Sequence, residues 1–79
     1  APTPLEVRAA DLAGKYHLTP REHEVLGLLA RGRTAAYVGH SLGISQGTAK
    51  THIRSIYHKM DIHTQQDLMD LIEAMASGQ

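Results

Sequence analysis

Apolar residues recur at helical spacing in five segments of the chain, and no segment alternates in the way that predicts a β-strand. In the longest segment, residues 45–60, one side of the helix is apolar and consists of Ala49, Ile53, Ile56, Tyr57 and Met60. The other side has small, hydroxyl and cationic side chains without a carboxylate, and it consists of Gly47, Lys50, Thr51, Arg54 and His58. A slim cationic face suits the major groove of DNA, where a long cation reaches a phosphate or a guanine.

Hydroxyl residues mark the start of each predicted helix, because a side-chain oxygen can accept a hydrogen bond from a first-turn N–H. The five predicted N-caps are Thr3, Thr19, Thr34, Ser45 and Thr64. An acidic residue three positions later completes a capping box at three of them, namely Glu6, Glu22 and Asp67. The residues predicted to end helices or to form turns are Gly14, Gly32, Gly43 and Asp61.

Two of these helices follow one another with little chain between them. The helix that begins at Thr34 and the helix that begins at Ser45 leave room for a turn of only about three residues, one of which is Gly43. This is the layout of a helix-turn-helix, in which the second helix is presented to DNA. The predicted fold is all-α: a four-helix helix-turn-helix domain at residues 18–79, preceded by a short extra linker helix within residues 1–17.

Charge is distributed unevenly, although eight basic and eight acidic residues give a net charge of zero. All eight acids lie outside residues 25–60, and this segment contains the five cations Arg31, Arg33, Lys50, Arg54 and Lys59. A local basic surface is enough to attract phosphates, because the attraction is screened within about 10 Å. The zero net charge therefore does not exclude a nucleic-acid partner.

Four motifs stand in a fixed order along the chain. They are Leu-Thr-Pro-Arg-Glu at 18–22, Leu-Leu-Ala-Arg-Gly at 28–32, Gly-Ile-Ser-Gln-Gly-Thr-Ala-Lys-Thr-His-Ile at 43–53 and Ile-Tyr-His-Lys-Met at 56–60. Together they resemble the DNA-binding domain of the LuxR/FixJ/GerE family of bacterial transcription regulators, and the resemblance extends from Leu18 to about Ala76. The chain departs from the family pattern at Tyr37, Ala49 and Asp61, where glutamate, valine and glycine are usual.

The resemblance implies a four-helix unit whose third helix, residues 45–60 here, enters the major groove. It implies that Lys50, Thr51 and Arg54 face base edges and nearby phosphates. It also implies that Thr48 and Lys59 hold the DNA backbone. We expect three further backbone contacts at the two ends of this helix, from Ser45, Gln46 and His58.

The last predicted helix has a wide apolar stripe, which consists of Leu68, Leu71, Ile72 and Met75. Such a stripe can pack inward, as on any terminal helix, or bind a second copy of the chain, and the resemblance implies that this helix often carries a dimer contact. A homodimer would favour double-stranded DNA with two-fold related half-sites about 10 bp apart.

Other chemistry finds little support in the sequence. Although the chain has six histidines, His52 and His58 lie roughly 240° apart around a helix, and there is no cysteine. Glu22 and Glu24 point to different sides of a helix, so their expected roles are capping and solvation. We therefore predict no metal site, no cofactor and no enzyme activity.

No apolar run approaches the roughly 20 residues of a membrane span, so we expect no membrane contact and predict a cytoplasmic location. The predicted function is sequence-specific binding of double-stranded DNA in the major groove, as the output domain of a bacterial transcription regulator. We expect an upstream sensory or receiver domain outside this chain to control it. The alternative, favoured by Tyr37 and the zero net charge, is a helical protein-interaction module on the same scaffold that does not bind DNA.

Overall fold

The computed structural model describes residues 3–76, and these residues form five α-helices and no β-strand. The helices are α1 (Pro4–Lys15), α2 (Pro20–Ala30), α3 (Ala35–Leu42), α4 (Gln46–Met60) and α5 (Gln65–Ala76). The all-α prediction, including the extra N-terminal helix, is confirmed. Over residues 3–76, no helix combines the length and the apolar character that crossing a membrane requires.

The predicted helix starts are confirmed by hydrogen bonds at the caps. Thr19 Oγ1 accepts from the Glu22 N–H at 3.1 Å, and the Glu22 carboxylate accepts from the Thr19 N–H at 2.9 Å. The same reciprocal pairing joins Thr3 to Glu6 and Thr64 to Asp67, and Thr34 and Ser45 cap α3 and α4. These bonds satisfy first-turn N–H groups that have no acceptor within their own helix.

Each of the first four helices ends in the same way. A residue with positive φ follows the helix, and these residues are His17, Gly32, Gly43 and Asp61. The N–H of the next residue then donates to a carbonyl five positions earlier, as in a Schellman motif. The predicted turns at Gly32, Gly43 and Asp61 are confirmed.

The predicted end of the first helix at Gly14 is wrong. α1 continues through Gly14 to Lys15, and the chain turns at His17, where φ is 56°. This later turn lets the Leu18 N–H donate to the Ala13 carbonyl at 2.9 Å and brings Leu18 against the core. The turn at His17 therefore places Leu18 beside the core.

The core is centred on α2, which contacts all four other helices. Its Val25, Leu26 and Leu29 are almost completely excluded from solvent. The other helices add the buried residues Ala9, Leu12, Val38, Ala49, Ile56, Met60, Leu68 and Ile72. Since Ala9 and Leu12 belong to α1, the N-terminal helix shares the core of the helix-turn-helix unit; the boundary between residues 17 and 18 stays a prediction.

The helix-turn-helix is formed by α3, a three-residue turn at 43–45, and α4. Gly39 of α3 lies at the closest approach, because a Cβ atom added there would be 2.9 Å from the Ile44 carbonyl oxygen. The Gly39 carbonyl in turn accepts from the Ile44 N–H at 2.9 Å. α4 packs most closely against α3 and α2, and the side of α4 that carries Lys50, Thr51 and Arg54 faces outward.

We expect Gly39→Ala to destabilise the domain by about 1–3 kcal/mol, because the added methyl group overpacks a backbone atom in the turn. This result would run against intrinsic helix propensity, which favours alanine over glycine by about 1 kcal/mol. Urea denaturation followed by circular dichroism measures the change.

Gly27→Ala is the matched control, because Gly27 lies inside α2 and, apart from its two chain neighbours and the nearby backbone of α2, no atom lies within 4 Å of an added Cβ. This variant should be more stable than the wild type by up to about 1 kcal/mol. Equal effects of the two substitutions would contradict the close approach at Gly39.

Candidate nucleic-acid interface

The structure brings Lys50, Thr51 and Arg54 together on the exposed front of α4. The back of the same helix is buried at Ala49 and Ile56. Among residues 3–76, neither Lys50 nor Arg54 has an ion-pair or hydrogen-bond partner, so both cationic groups are available to an external anion. The side of α4 that the sequence pattern placed outward is thus the side that the fold leaves uncovered.

Thr51 shapes the middle of this front. Its Oγ1 donates to the Gly47 carbonyl at 3.1 Å, one turn earlier on α4. This bond holds the hydroxyl against the helix. Together with the missing side chain of Gly47, it keeps the front slim between the two long cations.

The N-terminal end of α4 carries three of the predicted backbone contacts, Ser45, Gln46 and Thr48, and all three are exposed. Ser45 Oγ accepts from the Thr48 N–H at 3.0 Å and donates to Thr48 Oγ1 at 2.9 Å. The first-turn N–H groups and the helix dipole make this end favourable for an anion.

At the C-terminal end, His58 is exposed and lines a shallow groove with Arg54, Asp61 and His63. Lys59 is placed differently, because its Nζ lies 2.7 Å from Glu22 Oε1. The Lys59 side chain is 34% exposed, whereas that of Glu22 is only 6% exposed. A phosphate would therefore have to share the Lys59 ammonium with a buried carboxylate.

Glu22 caps α2 as predicted, but the expectation that it is solvated is wrong. Ser55 Oγ donates to its Oε2 at 2.6 Å, and the Lys59 ammonium donates to its Oε1. Burial by itself raises the pKa of this carboxyl, but the hydrogen bonds from Lys59, Ser55 and the Thr19 N–H outweigh burial and lower the pKa from 4.5 to about 2. Glu22 is thus ionised and bonded to α4. Glu24, in contrast, is exposed.

Arg33 is a cation to which the sequence assigned no role. It lines one groove together with Lys50 and Arg54, and its guanidinium lies 4.6 Å from the centre of the Tyr37 ring. Its carbonyl accepts from Gln65 Nε2 at 3.0 Å, which ties the α2–α3 loop to α5. The sequence features that could have pointed to Arg33 are its place in the acid-free segment 25–60 and its position directly before Thr34, the N-cap of α3.

Residues 16–72 match the GerE family model, which is described as bacterial regulatory proteins of the luxR family. This chain belongs to the luxR family of bacterial regulatory proteins. The resemblance stated from the motifs is therefore confirmed. α1 (Pro4–Lys15) lies entirely before the matched segment.

Several named proteins are similar to this luxR-family chain. MctR, a transcriptional regulatory protein of Rhizobium johnstonii, is 41% identical over 51 residues, which are 65% of this chain and 24% of that protein. CarR, a transcriptional activator of Pectobacterium carotovorum, is 49% identical over 45 residues, 57% of this chain and 18% of that protein. MalT of Vibrio cholerae, a helix-turn-helix-type transcriptional regulator, is 36% identical over 58 residues, 73% of this chain and 6% of that protein. No solved structure matches the chain.

The chain thus spans about a quarter or less of each of these relatives. The relatives are named as transcription regulators, not as enzymes. The luxR-family match covers the helix-turn-helix, whose second helix carries the exposed cations of α4.

The α5 residues predicted for dimerisation divide into two groups in this luxR-family domain. Leu68 and Ile72 are 0% and 6% exposed and belong to the core of the chain itself. Leu71 and Met75 are partly exposed at the edge of that core. A second copy could contact Leu71 and Met75 without opening the monomer, whereas Leu68 and Ile72 are already covered.

The lowered pKa of Glu22 should make the stability of the domain depend on acid pH. Because the pKa in the folded state lies below 4.5, the ionised carboxylate stabilises the fold above pH 4.5, and this contribution is lost as the pH falls towards 2. We expect Glu22→Gln to lower the free energy of unfolding by about 2–3 kcal/mol at neutral pH, and the difference from wild type to shrink below pH 4.5. Urea denaturation at pH 7, 5, 4 and 3 measures it.

Glu24→Gln is the control, because Glu24 is exposed and forms a surface ion pair in which its Oε1 lies 3.6 Å from Arg21 Nη1. Such pairs contribute less than about 1 kcal/mol, so this variant should stay close to the wild type at each pH. A Glu22→Gln effect that stayed constant between pH 7 and pH 3 would contradict the assignment.

Proposed function

We propose that this chain binds double-stranded DNA sequence-specifically by inserting the front of α4 into the major groove. The observation that carries the proposal is the exposed row of Lys50, Thr51 and Arg54 on the second helix of a helix-turn-helix. In the described part of the chain, both cations lack a partner, so binding DNA would not require them to break an internal bond.

The three residues suit different features of base edges. The guanidinium of Arg54 can donate two bonds to the O6 and N7 atoms of one guanine, which is worth about 1–3 kcal/mol of discrimination. Lys50 can reach a base acceptor or a phosphate, and the methyl group of Thr51 can contact a thymine methyl. We therefore assign base reading to these positions.

Phosphate contacts would set the register of the domain on the duplex without reading sequence. We assign this role to Ser45, Gln46, Thr48 and His58 along α4, and to Arg33. Arg33 is included because it lines the same groove as Lys50 and Arg54. The resemblance places Lys59 in this class as well, and that role stays a prediction.

Two copies of the domain would bind two-fold related half-sites about 10 bp apart. The partly exposed Leu71 and Met75 of α5 are the proposed contact between the copies. Sedimentation on duplexes with one and with two half-sites measures the number of bound copies, and a single copy on both duplexes would refute the dimer.

The relatives are four or more times longer than the segment they share with this chain. We therefore propose that a sensory or receiver domain outside this chain controls access of α4 to DNA. Comparing the DNA affinity of this domain with that of the longer protein, with and without its signal, tests the proposal; identical affinities would oppose it.

A selection of genomic fragments with the purified chain should return a duplex whose binding weakens steeply with salt, as expected when several phosphates are contacted. Arg54→Ala should then lose about 5- to 100-fold affinity for the selected duplex and little for a scrambled one. Fluorescence anisotropy measures both affinities. If wild type and Arg54→Ala bind all duplexes equally, direct reading by Arg54 is wrong, and if no duplex binds, the protein-interaction alternative is favoured.

Arg33→Ala should weaken binding to selected and scrambled duplexes alike and reduce the slope of log affinity against log salt by about 1. Arg31→Ala removes the same charge two residues away, where the side chain lines a different groove, with Leu5 and Leu42. The Arg31 variant should leave the salt slope unchanged. Equal slopes for both variants would remove Arg33 from the interface.

A further inference from the structure

The carboxylate of Glu22 joins two helices through one buried group. It belongs to the first turn of α2, where it accepts from the Thr19 N–H, and it also accepts from Ser55 and Lys59 of α4. Glu22 as a whole residue is only 4% exposed. Among the residues that the structure describes, Ser55 and Lys59 are the only side chains of α4 that form a hydrogen bond or an ion pair with α2.

Ser55 and Lys59 lie one turn apart and therefore share one face of α4. That face is neither the apolar back nor the exposed front. With 100° between successive residues, it lies roughly 115° from the mean direction of Lys50, Thr51 and Arg54. The bonds to Glu22 thus hold α4 from its flank.

This flank contact restrains a motion that the apolar back restrains weakly. The buried Ala49, Ile56 and Met60 determine which side of α4 faces the core, but apolar burial is non-directional, so a small rotation of α4 about its own axis costs less in burial than in hydrogen-bond geometry. Hydrogen bonds to a carboxylate depend on distance and angle, and charged ones are the stronger kind. A rotation of α4 would lengthen the 2.6 Å bond from Ser55, which has a short side chain, and the same rotation would change the direction in which Arg54 points.

We propose that Glu22 is a positioning residue for DNA reading, and that Lys59 serves this buried carboxylate instead of a DNA phosphate. The inference rests on the proposed function. It differs from the role that the resemblance implies for Lys59, because a phosphate contact and a positioning contact respond differently to salt and to sequence.

The test uses the 79-residue chain and two duplexes, the selected one and a scrambled one, over a series of salt concentrations. Glu22→Gln keeps one acceptor oxygen, which can serve the Thr19 N–H, but an amide NH₂ replaces the oxygen that accepts from Ser55, and the charge that holds Lys59 is lost. Lys59→Met removes the ammonium and keeps an apolar stem of similar shape. All binding is measured at a temperature where circular dichroism shows each variant fully folded, so that a change in stability does not enter the affinity.

We expect Glu22→Gln and Lys59→Met each to reduce the ratio of selected to scrambled affinity by about 5- to 10-fold, which is the discrimination of one weakened base contact. The salt slope of Lys59→Met should equal that of the wild type. If Lys59→Met instead weakens both duplexes equally and lowers the slope by about 1, Lys59 contacts a phosphate and the inference is overturned.

Glu24→Gln makes the same charge change on the same helix at an exposed position. It should leave the selectivity ratio unchanged, so a matching loss in both glutamine variants would point to the general field of the protein and refute positioning. Ser55→Ala is a second variant that keeps all charges and removes only one bond to Glu22. If Glu22→Gln is poorly folded, Ser55→Ala should still reduce selectivity, and unchanged selectivity there overturns the inference.

The two proposals fail in different ways. A wild-type chain that binds no duplex with salt-sensitive affinity overturns the proposed function and this inference together. A wild type that binds selectively while Glu22→Gln and Ser55→Ala keep its selectivity overturns the inference alone.

Discussion

Val25, Leu26 and Leu29 of α2 are almost fully removed from water, and every other helix packs against α2. In a chain of this size only about 60% of the unfolded surface is buried on folding, so one shared helix has to serve as the centre of the core. α4 depends on this centre, because its buried Ala49 and Ile56 belong to the same core as the apolar residues of α2. Burial holds the helices together, and the directional bonds of Glu22 act on their relative orientation.

Local signals made most of the fold predictable from the sequence. N-caps and capping boxes act over three residues, so Thr19 with Glu22 and Thr64 with Asp67 could be recognised without knowing the rest of the chain. The end of α1 could not, because no local signal favours a turn at the non-glycine His17 over one at Gly14. The bond between Glu22 and Lys59, 37 positions apart, leaves no periodic trace in the sequence.

The same distinction applies to the candidate interface. The period of α4 was sufficient to predict which side carries Lys50, Thr51 and Arg54, since the apolar back fixes the opposite side. The apolar stripe of α5 was less informative, because a stripe has the same appearance whether its own chain or a second copy covers it. The coordinates assign Leu68 and Ile72 to the core and leave Leu71 and Met75 at its edge.

The five cations of the acid-free segment 25–60 occupy different places in the fold. Of these five, Lys59 is bonded to Glu22, and Arg31 lines a groove beside α1. The remaining three, Arg33, Lys50 and Arg54, line one groove. A chain with zero net charge therefore still presents a local positive surface, because within residues 3–76 no acidic residue lines the groove that holds these three cations.

The pattern of helix contacts limits how another domain could influence DNA binding. α1 contacts α2 and α5, whereas α5 is joined to α4 by the short segment 61–64 and places Asp67 near Tyr57 of α4. A domain that pulls or presses on α1 can therefore act on α4 only through α2 or α5, both of which contribute buried residues to the core. Direct obstruction of the exposed side of α4 requires no movement of the core, so steric occlusion is compatible with an unchanged fold.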